Sequence, residues 1–183
     1  MREIEVKARV KSADDVLKAA ESLGMKFGKP IEQFDTTYEN NLPNDDPNWN
    51  IFRIRKQDGR HILTMKHHAS SQSRDNYEYE TLVEDEKEMV KILNRLGFEH
   101  SIDLHKVRRT TKYKDVEICL DEVDDLGTFV EAEKLTDDIA DVEQIQNELW
   151  NLLAKLGAKR SDRVFNGYDT LMAQLLHGHS EGQ

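Results

Sequence analysis

Glu3, Glu5, Lys7 and Arg9 occupy alternate positions near the start of the chain, interleaved with Ile4, Val6, Ala8 and Val10. In an extended strand successive side chains point to opposite faces, so the four ionic groups share one face and the aliphatic groups the other. Glutamates two apart on such a face have Cα atoms about 6.7 Å apart, close enough for their carboxylates to converge on one cation. Oxygen-only ligation favours Mg²⁺ or Mn²⁺, ions that retain water and share phosphate oxygens. Arginine forks and lysine point charges on opposing strands would hold the remaining oxygens.

The same division by parity recurs along the chain. Arg53 and Arg55 oppose Phe52 and Ile54; Thr64 and Lys66 oppose Leu63 and Met65; Glu78 and Glu80 oppose Tyr77 and Tyr79. Lys106 and Arg108 flank Val107, while Glu117, Cys119 and Asp121 alternate with Ile118 and Leu120. Glu131 and Glu133 alternate with Val130 and Ala132. An open antiparallel sheet with one wet ionic face would show this parity too. The number of charged groups of both signs favours a closed barrel with the ionic faces inward, where ligands of both signs would offset like-charge repulsion. A metal-bound polyphosphate carries both.

The elements that must position these faces are readable from punctuation. Strands are expected near 32–39, 50–57, 60–67, 75–83, 102–113, 115–122 and 128–135, which with the first makes eight. Asp58-Gly59 signals a tight hairpin, and Lys114-Asp115 a second turn. Three amphipathic helices follow Ser12, precede Gly97 and precede Gly157, each ending in Leu-Gly. Asn40 to Asn50 and Ala69 to Asn76 read as loops. The fold class expected is α+β: an eight-stranded antiparallel β-barrel tunnel covered by amphipathic helices. One domain is expected over residues 1–176, with a disordered tail over 177–183.

The composition bounds the function. The 183-residue chain carries a net charge of −10, which argues against broad nucleic-acid binding, since that needs a basic surface. Its single cysteine, Cys119, lies between Ile118 and Leu120 and reads as a reduced structural thiol, consistent with cytoplasm. No apolar run is long enough to span a bilayer, so neither membrane insertion nor secretion is expected. Gly28-Lys29-Pro30 lacks the flanking residues of a P-loop, so phosphates would be held by side chains.

Glu3-Ile-Glu5-Val-Lys7 resembles the ExExK signature of the CYTH superfamily, the triphosphate tunnel metalloenzymes. Its companions fall in the family's order: Gln33-Phe-Asp35-Thr-Thr-Tyr38, Phe52-Arg53-Ile-Arg55, Leu63-Thr-Met-Lys66, Glu78-Tyr-Glu80, Lys106-Val-Arg108, Asp121, Leu126-Gly127, Phe129-Val-Glu131-Ala-Glu133 and Gly167-Tyr168. The resemblance covers nearly the whole chain.

It implies Glu3, Glu5 and Glu131 as metal ligands, with Glu133 and Asp121 in support, and Mg²⁺ or Mn²⁺ as cofactor. Lys7, Arg53, Lys66, Lys106 and Arg108 would grip phosphate, and Glu3, Glu5 and Lys7 would form the catalytic set. Arg9, Arg55, Glu78 and Glu80 point inward by parity, as direct contacts or as ion-pair partners. Tyr38, Tyr113 and Tyr168 could stack on a base or pack, with packing favoured for Tyr113. His67 and His68 are expected as solvated loop residues.

Length and motif wording are most similar to the class IV adenylate cyclase branch, which converts ATP to cyclic AMP and pyrophosphate. Hydrolysis of tripolyphosphate, thiamine triphosphate or a nucleoside triphosphate uses the same cradle with water as nucleophile. A non-catalytic polyphosphate or nucleotide binder is a third reading, though such a binder gains nothing from inward carboxylates. The partner implied is a small triphosphate substrate, and small barrels of this kind often pair as homodimers.

Overall fold

The computed structural model describes residues 2–42, 50–68, 75–136 and 141–180. Its strands are β1 (Arg2–Val10), β2 (Ile31–Glu39), β3 (Ile51–Gln57), β4 (Arg60–His68), β5 (Asp75–Val83), β6 (Glu99–Tyr113), β7 (Val116–Val123) and β8 (Gly127–Thr136). The helices are α1 (Ala13–Ser22), α2 (Glu86–Arg95), α3 (Val142–Lys155) and α4 (Tyr168–Ser180), with a 3₁₀ turn at Arg160–Asp162. None of these helices is long and apolar enough to cross a membrane.

The strands form a closed antiparallel barrel in the order β1-β5-β4-β3-β2-β6-β7-β8. Register carries the ionic face from strand to strand, because directly paired residues in an antiparallel ladder share a side. Lys7 pairs Glu131, Glu131 pairs Cys119, and Asp121 pairs Arg108. Farther round, Asp35 pairs Arg55, Arg53 pairs Thr64, and Thr64 pairs Glu80. Among the described residues, closure between β1 and β5 pairs Glu3 with Asn76 and Ile4 with Asp75. Beyond it the free edge of β1 is met by the segment after the 3₁₀ turn: Ala8 bridges Arg163, and the Val164 amide donates to the Lys7 carbonyl at 2.9 Å.

Three helices pack on the outer faces. α1 and α3 bury Val16, Ala20, Leu149 and Leu153 against Ile4, Val6, Ile118, Leu120, Val130 and Ala132. α2 sets Leu93 against Tyr38 and Ile54, with Phe52 edge-on to Phe98. Each begins at an oxygen cap, Ser12, Asp85 or Asp141, which accepts from the amide three residues on. Each ends with a leucine cap followed by a glycine at positive φ. Amides two residues past the cap, as Met25 to Ala20, close a Schellman turn that a side chain at the glycine would strain.

α4 is a fourth helix, beyond the three the periodicity predicts. It runs to Ser180, through the first part of the stretch expected to be a disordered tail; residues 181–183 lie outside the described residues. Its Tyr168 and Met172 pack on Leu104, Val123 and Phe129. Those three share strand parity with Lys106, Asp121 and Glu131, so α4 covers the inward face and stops one end of the tunnel. The inner wall is therefore apolar at that end and ionic beyond it. At a nearby register shift between β2 and β6 the Thr37 hydroxyl bonds to the backbone of Ile102, satisfying groups the ladder leaves open.

Leu153 is fully buried between α3 and the β1–β7–β8 wall. Leu153→Ala is expected to lower unfolding free energy by about 2–5 kcal/mol in urea denaturation. A loss below about 1 kcal/mol would mean that α3 is not a principal clamp on that wall.

Candidate functional site

The tunnel's buried charges form two ion-pair clusters and one acidic margin. The first cluster joins β1, β6, β7 and β8. Glu131 accepts from Lys7 Nζ at 2.5 Å through Oε1 and from Arg108 Nη2 at 2.7 Å through Oε2. Asp121 takes Arg108 in a fork, Nε to Oδ1 at 2.7 Å and Nη2 to Oδ2 at 2.5 Å, and also Lys106 Nζ at 3.1 Å. Lys7 Nζ lies 3.6 Å from Glu5.

Burial acts against the charges of Asp121, Glu131 and Lys106, with different outcomes. For Asp121 and Glu131 burial pushes the carboxyl upward, but it is outweighed, by Lys106 and Arg108 for Asp121 and by Lys7 and Arg108 for Glu131, so both lie below the usual range. Lys106 goes the other way: burial, then the Arg108 charge, lowers it to about 8. An anion bound beside it would favour its charged form and raise it again.

The second cluster joins β2 to β5. Asp35 binds Arg55 in a fork, Nε to Oδ1 at 2.7 Å and Nη2 to Oδ2 at 2.8 Å. Burial raises Asp35, yet the Arg55 hydrogen bond and the Arg53 and Arg55 charges outweigh it and hold the carboxyl far below its ordinary value. Arg53 donates to the Thr64 hydroxyl at 3.0 Å and to Glu80 at 3.4 Å, and approaches Glu78 at 4.0 Å. Its Nε is buried with no hydrogen-bond partner among the described residues.

The acidic margin lies on β7 and β8. Donor atoms of Glu117, Cys119 and Glu133 fall within 4.8 Å of one another. Burial, then the charges of Glu3 and Glu131, push Glu133 up to about 9. Glu133 thus holds a proton at neutral pH in the metal-free protein, because burial and the neighbouring carboxylates together outweigh the Arg108 charge. A divalent cation would relieve that repulsion, and the glutamate oxygens fit the hard ions Mg²⁺ and Mn²⁺. Glu133 and Glu117, with Glu3 and Glu5 on the adjoining strand, are the groups that would hold it.

The structure therefore brings together Glu3, Glu5, Lys7, Lys106, Arg108, Asp121, Glu131 and Glu133 on one side of the tunnel, and Arg53, Arg55, Glu78 and Glu80 on the other. Lys66 pairs Glu78 in the β4–β5 ladder, but its side chain, with those of His67 and His68, lies outside the described residues. His67 and His68 end β4 rather than belonging to the following loop. Arg9 leaves the charge clusters: it donates to the Leu126 carbonyl and lies 4.6 Å over the Phe129 ring. Tyr38 and Tyr113 pack outside the barrel, and Tyr168 faces into it. Asp35, Thr64, Glu117 and Cys119 join the inner wall; the sequence places Thr64, Glu117 and Cys119 on the ionic face and Asp35 in a family motif, but gives none of the four a role in the site. The buried Cys119 thiol is pushed upward, chiefly by burial, and is no nucleophile.

Fold and site together define a β-tunnel with basic groups and an acidic margin on its inner wall. The chain belongs to the CYTH family, whose domain matches residues 1–168. A Methanocaldococcus jannaschii protein named a putative adenylate cyclase is 30% identical over 170 residues, covering 92% of this chain and 97% of that one. A solved Pyrococcus horikoshii OT3 structure aligns with TM-score 0.79 and 30% identity over 92% of this chain and 98% of its own. A Hippeastrum protein, described as a putative adenylyl cyclase with a dominant triphosphatase activity, shares the fold at TM-score 0.59 and 18% identity, covering 91% of each chain.

The raised Glu133 gives a pH signature. Its folded value is about 9 against an ordinary 4.5, so between the two the folded chain holds a proton that the unfolded chain releases. Stability falls as pH rises through that window. Lys106, lowered from 10.5 to about 8, acts oppositely above pH 8, so the diagnostic range is 4.5 to 8. In metal-free protein, thermal melts of Glu133→Gln are expected to lose this decline and to stand a few degrees above the parent at pH 8. An unchanged slope would remove Glu133 as its source.

Proposed function

We propose that this protein is a divalent-metal-dependent enzyme acting on a triphosphate held in the tunnel, converting ATP to cyclic AMP and pyrophosphate in the manner of class IV adenylate cyclases. One observation carries the reading. Lys7, Lys106 and Arg108 converge in the buried wall that also carries Glu133, a carboxyl whose charge burial and neighbouring glutamates disfavour. Basic groups suit the phosphoryl oxygens, and the carboxylates suit the cation that accompanies them. The family and the curated relative of 30% identity support the cyclase assignment.

The protein's contribution to such chemistry is placement and electrostatics. Lys7, Lys106, Arg108 and Arg53 fix a chain of phosphoryl groups, and their guanidinium and ammonium charges offset charge that develops as a phosphorus–oxygen bond breaks. A bound divalent ion polarises a phosphoryl oxygen and offsets phosphate charge. Glu3, Glu5 and Glu133 would hold it, with Glu131 keeping Lys7 and Arg108 aimed inward. In cyclisation the ribose 3′-hydroxyl attacks the α-phosphorus and pyrophosphate departs.

Incubation of purified protein with ATP and Mn²⁺ or Mg²⁺, followed by product separation, is expected to give cyclic AMP and pyrophosphate. Orthophosphate from ATP or tripolyphosphate would make it a hydrolase, and no turnover of any of these would leave a binding module. Glu5→Gln is expected to cut metal-dependent turnover at least about a hundredfold while the melting temperature holds; full activity would contradict the metal assignment. Arg53→Ala should weaken substrate binding by about 2 kcal/mol if its guanidinium contacts phosphate in a desolvated wall. A change confined to stability would make Arg53 a structural ion-pair partner.

A further inference from the structure

Tyr168 is the first residue of α4 and sits where the apolar stop of the tunnel meets its ionic wall. One edge of its ring environment is apolar, with Phe129 at 5.0 Å between centroids. Lys7 Nζ rests 3.9 Å from the ring centroid and Lys106 Nζ 4.9 Å from it. Both ammonium groups are thus attracted to the π-system of this one ring. The residue is only 9% exposed.

The hydroxyl is what this packing leaves unexplained. It is buried and makes no hydrogen bond of good geometry among the described residues; the carboxylate it reaches is Glu131, whose two oxygens already receive Lys7 and Arg108. A buried hydroxyl without a partner is unfavourable and uncommon in native proteins, so its position calls for a ligand. The acceptors it faces are already engaged. Glu131 receives Lys7 on one oxygen and Arg108 on the other, and Asp121 receives Arg108 on both and Lys106 on one. Burial, then the charges of Glu131 and Asp121, hold the phenol far above its ordinary value, so it remains a donor at neutral pH.

We infer that the Tyr168 hydroxyl is a hydrogen-bond donor to a phosphoryl oxygen of the substrate at the stopped end of the tunnel, in the position that Lys7 and Lys106 flank. The inference rests on the triphosphate reading and adds a neutral donor to a set otherwise made of cations. A phenol is rigid and pre-placed by α4, so it constrains how far the phosphate chain can enter, whereas lysines can follow it. α4 thereby acts as a depth stop that also reads the ligand.

The test compares wild type with Tyr168→Phe, which keeps the ring and its hold on the lysines. Binding of inorganic tripolyphosphate is measured by calorimetry at low temperature with Mg²⁺, and the ligand is checked for integrity afterwards. Melting temperatures are measured without ligand. The expected result is about tenfold weaker tripolyphosphate binding by Tyr168→Phe, the scale of one hydrogen bond to a charged acceptor. Its ligand-free melting temperature should equal or exceed that of wild type, because the substitution removes an unsatisfied buried group. Equal affinity in the two proteins would overturn the inference while leaving the triphosphate reading intact. A fall in ligand-free melting temperature would also overturn it, by showing that the phenol is an internal donor to Glu131. Failure of wild type to bind tripolyphosphate would remove the triphosphate reading and this inference with it.

Discussion

The fork of Arg108 onto Asp121, with its second reach to Glu131, is the interaction on which the tunnel depends. It ties β6 to β7 and β8 from inside the barrel, at a depth where Asp121 is wholly inaccessible. Buried ion pairs seldom stabilise relative to apolar packing, because desolvation offsets most of the attraction. Their presence here is better understood as preorganisation. Lys7, Lys106 and Arg108 are held at fixed positions by carboxylates that accompany them into the interior, so an arriving phosphate meets aligned donors rather than flexible chains.

That arrangement leaves two groups on one wall whose charged forms are disfavoured, one basic and one acidic. Lys106 is lowered by burial and by Arg108, while Glu133 is raised by burial and by Glu3. Each costs stability in the ligand-free protein and each is relieved by a different component of a metal–polyphosphate complex. The outer helices make the cost tolerable. α1 and α3 bury an aliphatic layer against β1, β7 and β8, the strands that carry the densest charge inside.

Parity along the strands was sufficient to assign faces, since a period of two is a geometric property of any extended chain. Glu3, Glu5, Lys7, Arg53, Lys106, Arg108, Glu131 and Glu133 could all be placed on the ionic faces by parity, and inward only through the number of charges of both signs that favours closure. Parity says nothing of height along the barrel axis, which depends on strand tilt and register. Arg9 has the same parity as Lys7, yet it ends beside Phe129 and the Leu126 carbonyl. The split between cation-paired Asp121 and under-neutralised Glu133 is likewise a matter of height: both were legible as inward acids, but not as acids with different neighbours. Tyr168, Leu171, Met172 and Leu175 follow helical spacing, and this signal for α4 was readable. Its docking on an inward face was not, because an apolar stripe does not state which side of a sheet it will cover.

The central claim is that cation and polyphosphate share this tunnel, the cation beside Glu133 and the polyphosphate among Lys7, Lys106 and Arg108. The direct measurement is a crystal structure with Mn²⁺ and tripolyphosphate, with the metal located by anomalous scattering. The account predicts a manganese peak within coordination distance of Glu133 and phosphoryl groups among Lys7, Lys106 and Arg108. Manganese bound outside the barrel, or phosphate seated away from those three side chains, would contradict it.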